Sequence, residues 1–195
     1  MTTRIFIARH GESEGNIDNV FTGTINAKLT KKGKNQAKEL AKNAETINID
    51  EIFSSHLLRA TETAEFVAKQ LDIKLSITEN IQEISFGIFQ GQKKSTLTGT
   101  DLEKSQQLLE AKNAEGVFNI EKRITSFIKL LQALQRSNTY KSILFVGHSN
   151  FWSFLIAVLE GKTAKDFIEV RVNRNKFQNG EMREITNLLN SFKIL

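Results

Sequence analysis

Two short apolar runs constrain this chain most. Arg4-Ile5-Phe6-Ile7-Ala8 and Ile143-Leu144-Phe145-Val146 both read as buried strands. Strands apolar on both faces belong in the interior of a mostly parallel sheet with helices above and below. The first run leads into Arg9-His10-Gly11-Glu12-Ser13 and the second into Gly147-His148-Ser149. The chain has only 3 histidines, and two of them stand at the carboxyl ends of these strands. In open α/β sheets ligands bind at that edge. Strands distant in sequence but adjacent in the sheet would bring His10 and His148 into one crevice.

Between these strands, helical and extended patterns alternate. Thr30 is placed to N-cap a helix carrying Ala37, Leu40, Ala41, Ala44 and Ile47 on one stripe. A short strand, Glu51-Ile52-Phe53-Ser54, precedes a helix from about Arg59 to Leu71, and Leu75 to Thr78 is a further strand candidate. From Ile81 to Val117 periodicity is lost among glycines and polar residues, as in a small cap insertion. Ile120, Ile124, Phe127, Ile128 and Leu131 then mark an amphipathic helix. Asn150 is a candidate cap for a helix running to Glu160 and ended by Gly161. Val170 and Val172 alternate with polar neighbours, and Asn179-Gly180 is a hairpin signal, so an antiparallel pair is expected at the end. The alternation predicts an α/β three-layer sandwich: a mostly parallel sheet with helices on both faces, residues 1–195 forming one domain with a cap at about 81–117.

At 195 residues the chain is long enough for one sizeable core. Its 27 basic and 22 acidic side chains give a net charge of +5, compatible with an anionic substrate, a nucleic acid or solubility alone. With no cysteine, disulfides, cysteine-ligated zinc and a cysteine nucleophile are excluded. The start, Met1-Thr2-Thr3-Arg4, has no signal-like apolar region and no run is of membrane-spanning length, so a cytoplasmic protein without membrane attachment is expected. No G-x-x-x-x-G-K-[ST], G-x-G-x-x-G or H-E-x-x-H pattern occurs, and carboxylates are not clustered. A site built on histidine and arginine, with no metal and no cofactor, remains.

Five ordered elements carry a resemblance. They are Arg9-His10-Gly11-Glu12 with Asn16; Leu29-Thr30-Lys31-Lys32-Gly33 with Gln36-Ala37; Ser54-Ser55-His56-Leu57-Leu58-Arg59-Ala60-Thr61-Glu62-Thr63-Ala64; Glu83 with Phe86-Gly87 and Gly91; and Val146-Gly147-His148. In order and separation they resemble the histidine phosphatase superfamily, which includes the cofactor-dependent phosphoglycerate mutases. The resemblance spans about three quarters of the chain.

The resemblance implies a division of labour that phosphoryl chemistry makes sensible. A phosphoryl group in transfer spreads charge over its equatorial oxygens, so fixed cations and donors matter most. His10 is the implied nucleophile, attacking as neutral imidazole, with Arg9 and Arg59 as planar forks for the oxygens. His148 is implied to donate as a protonated imidazole, and Glu83 to serve as acid toward the leaving oxygen and base toward water. Gly11 would let backbone approach the phosphate, with Asn16, Thr22, Gly23 and Ser149 as further substrate contacts and Ser55 a possible one. His56 falls where the pattern varies, and Lys31, Lys32, Lys34 and Lys38 read as a solvated helix face.

Three departures bear on substrate. Asn26-Ala27-Lys28-Leu29-Thr30 replaces the usual Asp-x-Pro-Leu-Thr loop, and Ser149-Asn150 follows the second histidine where glycines are usual. Glu83-Ile84-Ser85-Phe86 stands where mutases carry Glu-Arg-His-Tyr, so two substrate anchors are missing at Ile84 and Phe86, with Lys93 and Lys94 as replacements to consider. A small-phosphomonoester hydrolase, using a covalent phosphohistidine and acting on a phosphorylated metabolite, is the first reading. A mutase-type phosphotransferase is the second. A non-catalytic basic binding protein, motivated by the pI near 9.4, is the third, although no nucleic-acid-binding motif supports a nucleic-acid partner. Oligomeric state is not legible.

Overall fold

The computed structural model describes residues 2–137, 139–173 and 176–192. In chain order the elements are β1 (Arg4–Arg9), α1 (Glu14–Ile17), α2 (Lys31–Ile47), β2 (Glu51–Ser55), α3 (Leu58–Leu71), β3 (Leu75–Thr78), α4 (Asp101–Leu109), α5 (Val117–Ser137), β4 (Ser142–Gly147), α6 (Ser149–Leu159), α7 (Phe167–Asn173), β5 (Met182–Glu184) and α8 (Thr186–Ser191). The five strands form one sheet in the order β3-β2-β4-β1-β5, parallel throughout except for β5. This is the mixed α/β architecture expected from the alternation.

The two central strands show why both their faces are apolar. Ile5, Ile7, Ile143 and Phe145 enter one core, where Ile120, Ile124 and Phe127 of α5 and Phe151 and Trp152 of α6 cover them. Phe6, Ala8, Leu144 and Val146 enter the other, beneath α2 and α3. Ala41, Ala44, Ala60 and Ala64 bring those two helices close to the sheet. Thr30 accepts the Gly33 N–H at 2.9 Å and so caps α2, as the sequence predicts. No helix of the described residues is long and apolar enough to cross a membrane.

Three local expectations are corrected. Val170 and Val172 lie in α7, not in a strand. Alternation over so short a window does not separate a strand from a helix. The overlooked signal is Thr163-Ala164-Lys165-Asp166, a capping box whose Asp166 carboxylate accepts the Thr163 N–H at 2.8 Å and starts a helical course. The antiparallel partner of β5 is therefore β1, and the Asn179-Gly180 turn folds back on the end of β1, where Gly180 N–H donates to the Arg9 carbonyl at 3.1 Å. The segment between β3 and α5 is not wholly irregular: α4 starts at a second capping box, Thr100 with Glu103.

Candidate active site

β1 and β4 are parallel neighbours with Arg9 opposite Gly147, so the next residues, His10 and His148, leave the sheet side by side. Their ring centroids are 5.2 Å apart, and both rings are buried. The crevice expected from the two strand ends is there.

His10 is held in one tautomer. The Gly11 carbonyl lies 2.6 Å from Nδ1 and can only accept, so Nδ1 carries the proton. Nε2 is then a lone pair, and it accepts from Arg59 Nε–H at 3.1 Å. Burial, followed by the charges of Arg59 and Arg9, holds this imidazole well below the usual histidine pKa. At neutral pH it is an uncharged base with its lone pair directed at a guanidinium.

Arg59, in the first turn of α3, is 2% exposed. Its Nη1 donates to the Ile25 carbonyl and its Nη2 to the Gly23 carbonyl, each at 2.8 Å, which fastens the loop before α2 over the crevice. Burial brings its pKa down to about 10, so it stays cationic at neutral pH. Arg9 donates from Nη1 to the Phe177 carbonyl at 2.7 Å, while its buried Nε has no partner among the described residues.

A cleft of about 230 Å³ opens over this pair, lined by Arg9, His10, Asn16, Thr22, Gly23, Arg59, Glu83 and Ser149 among others. Two expected residues stand outside its lining. Gly11 donates its N–H to Thr63 Oγ1 at 3.0 Å, and a Cβ there would lie 2.4 Å from the Gly33 carbonyl oxygen. The missing side chain is what admits the start of α2. His148 lies behind His10, its Nε2 2.9 Å from Ser55 Oγ. Burial first, then Arg59, His10, Arg9 and Arg123, depress its pKa well below the usual value.

Glu83 joins two segments. Oε1 accepts from the Ile84 and Phe151 N–H groups at 2.9 and 3.2 Å, and Oε2 from Asn150 N–H and Nδ2 at 3.3 and 2.9 Å. The carboxylate thus sits at the start of α6. His148 occupies the N-cap position expected for Asn150. Lys94 lines the cleft, whereas Lys93 donates to the Asp18 carbonyl at 2.6 Å.

Asn179 was read only as a turn residue, yet its Nδ2 donates to the His10 carbonyl at 3.1 Å and to Asn16 Oδ1 at 3.2 Å. Asn16 Oδ1 also accepts from Ser13 N–H at 3.1 Å, which turns the amide so that Nδ2 is the end available to a ligand. Nothing in the local sequence signals this contact. Arg171 and Lys176 also line the cleft and were not singled out from the sequence.

A family model described as the histidine phosphatase superfamily (branch 1) matches residues 5–186. The chain belongs to that superfamily. An adenosylcobalamin/α-ribazole phosphatase of Escherichia coli is 30% identical over 177 residues, covering 88% of this chain and 86% of the relative. A 2,3-bisphosphoglycerate-dependent phosphoglycerate mutase of Bartonella bacilliformis is 28% identical over 181 residues, covering 86% of each. The crystal structure of the α-ribazole phosphatase from Shigella flexneri superposes with a TM-score of 0.77 at 27% identity, covering 93% of this chain and 89% of that one. The superfamily member described here is thus similar to enzymes named as phosphatases and as mutases.

Proposed function

We propose that this histidine phosphatase homologue hydrolyses small phosphomonoesters through a phosphohistidine on His10. The reading rests on the single tautomer of His10: Nδ1–H is tied to the Gly11 carbonyl, and the Nε2 lone pair lies beside a fixed guanidinium. In the first step the Arg59 Nε–H turns from Nε2 to a phosphoryl oxygen, Nε2 bonds to phosphorus, the ester P–O bond breaks, and Glu83, which takes up a proton as the dianionic substrate enters, gives it to the departing oxygen. In the second, water bonds to phosphorus while Glu83 takes its proton, the N–P bond breaks, and the electron pair returns to Nε2. Arg9, Arg59 and the Asn16 amide bind the equatorial oxygens, with Ser149, Thr22 and the Gly23 backbone at the rim. An entering phosphoryl dianion offsets the cations that depress His148, which then takes up a proton and donates it toward the oxygens. The segment at about 81–117 serves as the cap. Guanidinium forks in these positions make a metal unnecessary.

Phosphotransfer between two hydroxyls of one substrate, as in the mutase relatives, is the second reading and rests on the 28% identity to the Bartonella enzyme. Against it, the residues at two of the mutase anchor positions, Ile84 and Phe86, are uncharged and buried. Following phosphate release and isomerisation together, with 3-phosphoglycerate and 2,3-bisphosphoglycerate supplied, separates the two. Phosphate release should dominate. Isomerisation outrunning it would give the mutase reading first place.

A further inference from the structure

The backbone carbonyl that holds the His10 proton is itself held. The Gly11 carbonyl and the Glu12 N–H belong to one peptide plane. The carbonyl faces His10 Nδ1 at 2.6 Å, and the N–H donates to Gln36 Oε1 at 2.7 Å. A backbone N–H can only donate, so the Gln36 amide presents its oxygen here. The preceding plane is fixed at both ends: the His10 carbonyl accepts from Asn179 Nδ2 at 3.1 Å and from Gly180 N–H at 3.2 Å, while Gly11 N–H donates to Thr63 Oγ1 at 3.0 Å. The start of α2 delivers Gln36 to this place. Thr30, Gly33 and Gln36 stand three apart and share one side of the helix. Thr30 donates its N–H to the Glu12 carbonyl at 2.9 Å, the bare Gly33 lets the Glu12 backbone lie against the helix, and Gln36, one turn further on, meets the Glu12 N–H.

We propose that Gln36 is a positioning residue for the nucleophile: by holding the Gly11–Glu12 peptide it keeps the carbonyl on His10 Nδ1–H and the lone pair on Nε2. This rests on the reading of His10 as the group that attacks phosphorus. Gln36 is outside the lining of the cleft and acts through the backbone, not on the substrate. In the free enzyme the Arg59 Nε–H also faces the ring, at Nε2. Once that N–H turns to a phosphoryl oxygen, the Gly11 carbonyl is left to hold the ring's proton on Nδ1. As Nε2 bonds to phosphorus the ring gains positive charge, and the bond from Nδ1–H to the carbonyl strengthens. An interaction that strengthens in the transition state lowers the barrier without tightening ground-state binding.

The test compares the full-length enzyme with Gln36→Met, which keeps the length of the side chain but has no oxygen, and Gln36→Glu, whose carboxylate can still accept the Glu12 N–H. Proton NMR of enzyme labelled with nitrogen-15 in its histidine rings reads the His10 Nδ1–H, assigned by its loss in His10→Ala. In the wild type this proton should resonate far downfield and exchange slowly with water. In Gln36→Met it should move upfield and exchange faster, and in Gln36→Glu it should return. With nitrophenyl phosphate, kcat/KM should fall roughly tenfold in Gln36→Met and recover in Gln36→Glu, while inhibition by inorganic phosphate stays the same in all three. An Nδ1–H signal unmoved in Gln36→Met overturns the proposal. So does a loss of kcat/KM matched by equally weakened phosphate inhibition, or one that persists in Gln36→Glu. If the wild type hydrolyses no ester, the phosphomonoesterase reading fails, and the Nδ1–H signal still decides whether Gln36 holds the peptide.

Discussion

The two buried imidazoles give the protein an acid sensitivity whose size can be worked out. Both His10 and His148 have depressed pKa values in the folded state, chiefly through burial and then through Arg59. In the unfolded chain each takes up a proton as pH falls through about 6.5. The folded imidazoles, with their depressed pKa values, take one up only at lower pH, so the unfolded state is favoured progressively below that pH. Each histidine adds a slope of up to about 1.4 kcal/mol per pH unit. Between pH 7 and pH 5, an imidazole that stays neutral while folded costs about 2 kcal/mol, and the two together about 4 kcal/mol. That is a large part of an ordinary domain's stability. Denaturant unfolding at pH 7, 6 and 5 measures it, with the double variant His10→Gln/His148→Gln as reference so that carboxylates and His56 cancel in the difference. The wild-type protein should lose more than the variant over this range, by up to about 4 kcal/mol. Parallel pH profiles would show that the folded imidazoles titrate normally, which would remove the basis for a neutral nucleophile.

Glu83→Gln should lose most of its kcat/KM, which reports the first step, on alkyl phosphates and far less on nitrophenyl phosphate, whose phenolate leaves without a proton; equal losses in kcat/KM would make Glu83 a binding group. Asn179→Ala removes the bonds at 3.1 and 3.2 Å that hold the His10 backbone and Asn16. It should lower kcat/KM roughly tenfold, mostly through KM, and an unchanged KM would show that Asn16 orients itself. Activity should be indifferent to a chelator, because guanidinium groups supply the positive charge; loss on chelation with recovery on adding a divalent metal would contradict that.

The positions of the two histidines were legible because a strand with both faces apolar, such as Ile5 to Ala8, has few places to go, and the sheet edge beyond it is determined by chain direction. The resemblance carried Arg59 and Glu83 to the same cleft, but not what holds them. The carbonyls of Gly23 and Ile25 on Arg59, and the start of α6 on Glu83, are tertiary contacts. At Gly11 the missing side chain admits the Gly33 backbone, a contact between distant segments that the motif does not report. The charge of His148 depends on burial, which a motif does not encode. The helix at Phe167–Asn173 was missed because two alternating valines outweighed a capping box at Thr163, and with it went the cation at Arg171. Asn179 reaches Asn16 across 163 positions, and no local pattern reports such a contact.

The central claim is that His10 Nε2 becomes phosphorylated. Glu83→Gln should admit an aryl phosphate through the first step and slow the second, where a base is needed, so the intermediate should accumulate in that variant. Mixing it with nitrophenyl phosphate, quenching in alkali and reading the product by phosphorus NMR and peptide mass spectrometry should reveal Nε2-phosphohistidine at position 10. The label should vanish in His10→Ala. Phosphate found on His148, or normal turnover by His10→Ala with no phosphohistidine formed, would contradict the account.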